Sequence, residues 1–135
     1  MQNRGPRPPA DFMNRLVVVL EWLLRVAGLV ALVLGIALWT GHGYEYLKLH
    51  MWLGFIVTFD LLLLAIAAML ARVPPVLPLV SILWAAALPV LGIAQMRIVP
   101  GSNHWLVQVI HLILGLGAIG LGESLSKRAK LRLRA

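Results

Sequence analysis

Apolar residues in this chain fall into four long blocks separated by short polar stretches. The blocks cover residues 16–39, 47–71, 76–96 and 104–123. Each has roughly the 20 residues that an α-helix needs to cross a hydrocarbon core of about 30 Å. A backbone in lipid must satisfy its own hydrogen bonds, so each block is predicted as a helix. The connections are brief. Residues 40–46 (TGHGYEY) are punctuated by glycine and 72–75 (RVPP) form a proline turn. Residues 97–103 (RIVPGSN) end in Pro-Gly followed by Ser and Asn, which are good helix N-caps. Loops this short make neighbouring helices antiparallel. The predicted fold is an all-α integral membrane protein, a four-transmembrane-helix up-down-up-down bundle. Residues 1–15 are expected as a flexible basic N-terminal tail, 16–125 as the transmembrane domain and 126–135 as a basic C-terminal tail. The first apolar block is too long for a signal-peptide core and no clean cleavage site follows it, so it is read as a retained span.

Composition sharpens this picture. The chain is 61% hydrophobic, with 13% charged residues and a mean hydropathy of +0.90. Soluble domains carry about 25% charged residues, so the chain is a single membrane domain with short tails. It has no cysteine, which excludes disulfides, thiolate metal sites and iron–sulfur clusters. The net charge of +7 sits mainly in the tails, where membrane topology and anionic headgroups select it. Nucleic acid is not an expected partner; the lipid bilayer is. One side of the bundle carries Arg4, Arg7, Arg15, Arg72, Lys127, Arg128, Lys130, Arg132 and Arg134, the other only Lys48 and Arg97. That asymmetry predicts both termini in the cytoplasm, and a bacterial inner (plasma) membrane as the location. Trp39, Trp52 and Trp105 then lie near the outer interface, and His42, His50, His104 and His111 in the outer half.

Two of those histidines share a motif. His50-Met51-Trp52-Leu53-Gly54 and His111-Leu112-Ile113-Leu114-Gly115 both read H-x-x-L-G. Their spacing suggests two repeated hairpins related by an axis along the membrane normal. An imidazole in hydrocarbon is costly, so two at matched positions point to function. Two imidazoles at one depth on facing helices can ligate one iron axially, which predicts a haem b. Gly54 and Gly115, one turn further on, would leave room for the macrocycle edge. His104 is the rival partner of His50, since it shares a face with His111. Arg97 at the outer rim is a candidate partner for a haem propionate, or it snorkels to headgroups. Zinc is disfavoured because the four histidines converge poorly, and copper has only Met51 and Met96 to recommend it.

Charges inside the spans need partners. Arg25 and Asp60 lie at similar depth on adjacent helices, which predicts an intramembrane Arg25–Asp60 pair, with Glu21 one turn from Arg25. Glu123 is expected as a solvated interface acid. Gly115, Gly117, Gly120 and Gly122 predict a close-packing face on the fourth helix, and Pro89 a kink in the third.

Four short-looped helices with histidines on the second and fourth resemble bis-histidine membrane b-haem proteins. The layout over 16–125 and the repeated H-x-x-L-G are similar to one half of a haem A synthase, with His50 and His111 at the matching positions. The full synthase has twice the spans. Cytochrome b561-type proteins are the second likeness. They usually carry two haems on four histidines, whereas the cytoplasmic half here holds none. The resemblance implies a small b-type cytochrome with one haem near the outer face, working with a quinone or a redox partner protein. Two other readings stand beside it: a small proton-coupled transporter, run as a homodimer and driven by Asp60, and a cofactor-free accessory membrane subunit. No nucleophile–base pair, phosphate loop or nucleotide motif is present, so any chemistry belongs to a bound cofactor.

Overall fold

The computed structural model describes residues 8–134. It consists of α1 (Pro8–Trp39), a 3-10 turn (Tyr44–Tyr46), α2 (Leu47–Leu70), α3 (Val76–Ala94) and α4 (His104–Arg134). All four helices are long and apolar enough to cross a membrane. α1 packs on α2 and α4, α3 packs on the same two, and α2 and α4 also touch across the diagonal. The protein is an all-α four-helix membrane bundle.

Local chemistry explains where two helices stop. Beyond α1, Gly41 takes φ 84°, and the N–H groups of His42 and Gly41 close on Ala37 O and Leu38 O. Beyond α2, Arg72 takes φ 60°, with Val73 and Arg72 donating to Ala68 O and Met69 O. Both patterns are left-handed C-terminal caps. Pro74 and Pro75 then prevent α2 from continuing.

Two boundaries differ from expectation. Residues 8–15 and 126–134, expected as tails, are helical. Proline at the first helical position costs nothing, and Asp11 in the first turn of α1 suits the helix dipole. At the far end of α4, Leu125 and Ala129 are buried and Leu133 packs against the same core, so contact with the bundle holds that segment helical. Arg4 and Arg7 lie outside the described residues. Pro89 sits inside α3, which remains one helix from Val76 to Ala94.

The core is unevenly placed. Leu24 from α1, Leu61 and Leu64 from α2, Ala85 from α3 and Leu125 from α4 are each at most 1% exposed. All belong to the half of the bundle that carries the termini. In the opposite half, which holds the α1–α2 and α3–α4 connections, the buried apolar residues are fewer, with Val57, Leu88 and Val107 among the described ones. Small residues permit the tight half. A Cβ at Gly122 would overlap Leu24, and one at Gly117 would overlap the Trp84 ring. A Cβ at Gly115 or Gly120 would meet nothing within 4 Å. The expected close-packing face of α4 is therefore real at two of its four glycines.

Candidate functional site

The less densely packed half contains the two H-x-x-L-G histidines, and their rings come close to one another. His50 on α2 and His111 on α4 have ring centroids 6.2 Å apart, with the ring planes at 68°. Both side chains are half-buried. Of the two partners the sequence allowed for His50, the structure brings His111. His104 is the first residue of α4, seven residues and about 10 Å of helix away from His111.

Each ring leans on a glycine of the preceding helix. A Cβ at Gly35 of α1 would stand 3.1 Å from His50 Cε1, and one at Gly92 of α3 would stand 3.2 Å from His111 Cε1. Neither glycine is conspicuous by itself. The signal that finds them is a second repeat: Leu34-Gly35-Ile36-Ala37 and Leu91-Gly92-Ile93-Ala94 both read L-G-I-A. In each hairpin the first helix supplies a glycine and the second a histidine, so the two hairpins build the site in the same way.

The rings differ in how they are held. His50 Nδ1 is 2.9 Å from the carbonyl oxygen of Ala31, one turn before Gly35. A carbonyl only accepts, so Nδ1 carries the proton and Nε2 keeps its lone pair. His111 Nδ1 is buried and has no hydrogen-bond partner. Below His111, the Trp84 indole N–H donates to Leu114 O at 2.8 Å and joins α3 to α4.

A haem held by two histidines would need two imidazole nitrogens a few ångströms apart and space around them. Metal–imidazole bonds of about 2 Å on either side of one iron place the ring centres on the order of 6 Å apart. The observed separation matches that spacing. The Cβ positions of Gly54 and Gly115, one turn beyond each histidine, open onto free space. Among the described residues, no group of three or more His, Cys, Asp or Glu side chains is arranged to hold a bare metal ion. The two imidazoles and the open space beside them would suit a haem held by two histidines. Arg97 is exposed beyond α3, with no polar partner for its side chain among the described residues.

The expected Arg25–Asp60 pair does not form. Arg25 donates to Glu21 at 2.9 Å and to Glu123 through both Nη2, at 2.8 Å, and Nε. Lys130 donates to Glu21 at 2.6 Å. Glu123 is thus an ion-pair partner and not a free interface acid. The sequence suggested adjacency in chain order, but Glu123 reaches Arg25 because α1 and α4 close the bundle. Asp60 is 2% exposed, and both its carboxyl oxygens lack a partner. It lies beneath a groove of about 630 Å³ between α1 and α2, lined by Leu20, Leu23, Phe55, Phe59 and Leu63 among others.

The chain matches no family model, no curated protein and no solved structure.

Proposed function

We propose that this protein is a small b-type cytochrome that holds one haem between His50 of α2 and His111 of α4 and serves in electron transfer. The observation that supports this reading is the close imidazole pair, with centroids 6.2 Å apart in the less densely packed half of the bundle. The haem would supply one-electron chemistry. The chain's part is to fix the ligands. Ala31 O orients His50, Gly35 and Gly92 admit the two rings, and Trp84 steadies the turn below His111. The Lys and Arg distribution favours cytoplasmic termini, and hence a haem near the outer face. A membrane quinol or a protein partner on that side would exchange the electron. The test is expression with haem supply and reduced-minus-oxidised spectra. Soret and α bands that disappear in His50→Ala with His111→Ala are expected. Their absence from the wild type, or their survival in the double variant, would end the proposal.

One observation favours a second reading. A buried aspartate with two unpartnered oxygens costs on the order of 1–3 kcal/mol. A proton carrier in a small transporter would explain its presence, since it must be neutral in one state and charged in the other. That reading expects Asp60→Leu to abolish proton-coupled uptake in vesicles. A variant that is merely more stable, with uptake of every solute unchanged, would dismiss it.

A further inference from the structure

We infer that the two histidines are unequal ligands: His50 is the fixed one, and His111 is the one that yields its place to a neutral diatomic ligand. This rests on the haem reading above and extends it. The difference lies in the atoms behind the two rings. A metal-bound imidazole is held in place, and made a stronger donor, when its other nitrogen gives its proton to a carbonyl or carboxylate. His50 has that support from Ala31 O at 2.9 Å. With Nε2 on a metal, His111 must carry its proton on Nδ1, and that atom is buried without an acceptor. Such a proton is costly, and turning the ring away from the metal relieves it. No hydrogen bond to Nδ1 opposes that turn of the His111 ring, whereas the His50 ring cannot leave without breaking its bond to Ala31 O. The exchange moves no electrons. On the α4 side the incoming ligand would take the place that the His111 nitrogen gives up.

The experiment uses the full chain loaded with haem in lipid nanodiscs and carbon monoxide as the probe. The reduced wild type is expected to show a carbon monoxide difference spectrum. His111→Ala should keep its haem, become five-coordinate and bind carbon monoxide at least tenfold faster than wild type. His50→Ala should lose haem at least tenfold faster than His111→Ala, and added imidazole should restore its retention. Circular dichroism checks that both variants remain helical. A haem-loaded wild type that excludes carbon monoxide overturns the inference while leaving the cytochrome reading intact. So does equal haem loss from the two variants, or the reverse order. A wild type that takes up no haem overturns both.

Discussion

The two halves of this bundle are built on different terms. Near the termini, Leu24, Leu61, Leu64 and Leu125 interlock over Ala65, Ala85 and Gly122, and Glu21, Arg25, Glu123 and Lys130 join α1 to α4. Near the two longer connections, His50, Gly35, His111 and Gly92 meet with little apolar packing around them. Helices in lipid gain nothing from hydrophobic exclusion against each other, so close packing and polar contacts must hold them. The terminal half has both. The histidine half has glycines and imidazoles instead. Tight packing and the histidine pair occupy opposite ends of the same four helices.

Four measurements test that contrast. The largest effect is expected from Arg25→Leu, which strands Glu123 and half-strands the buried Glu21. A lowered unfolding midpoint is expected in denaturant titrations in bicelles; an unchanged midpoint would show that packing alone closes this half. Next in size is the effect of the proposed haem. Haem at a hundred times its dissociation constant should stabilise the protein by about 2.7 kcal/mol. The added hydrogen-exchange protection should be confined to the histidine half, and protection spread evenly along the helices would contradict the division. Matched truncations come third. Leu24→Ala should cost about 2 kcal/mol, and Leu34→Ala, half-exposed in the other half, less than about 0.5 kcal/mol. The smallest effect on stability belongs to Gly35→Ala and Gly92→Ala. Alanine gains up to about 1 kcal/mol of helix propensity, which offsets crowding of the imidazole. Haem retention should nonetheless fall about tenfold, as for other groups that orient a metal ligand. Unchanged retention would mean that the glycines do not set ring position.

Much of this architecture was legible in the chain. Four apolar blocks separated by Gly- and Pro-bearing loops dictate four antiparallel helices, because lipid leaves the backbone no other solution. The repeated H-x-x-L-G placed His50 and His111 at equal depth, and the structure brings those two rings together. What escaped was lateral. Helical periodicity gives depth along an axis but not which neighbour a face meets. Arg25 was therefore assigned to Asp60 by depth, while its contacts are with Glu21 and with Glu123, 98 residues away. Gly35 and Gly92 were missed for a related reason. A glycine in an apolar helix reads as generic smallness until the partner ring is known, and only the L-G-I-A repeat marks it. The helical extensions at both ends escaped because charge density resembles a solvated tail, and burial of Leu125 and Ala129 on one side of α4 cannot be seen from charge.

α4 runs unbroken for 31 residues, or about 46 Å, well over the thickness of a hydrocarbon core. Its last turns therefore form a stiff spoke, continuous with the segment that bears His111. A fluorescent label near residue 134 would swing with the far end of that spoke. Any tilt or roll that accompanies events at the imidazole would then be readable from the opposite face of the membrane, without touching the site.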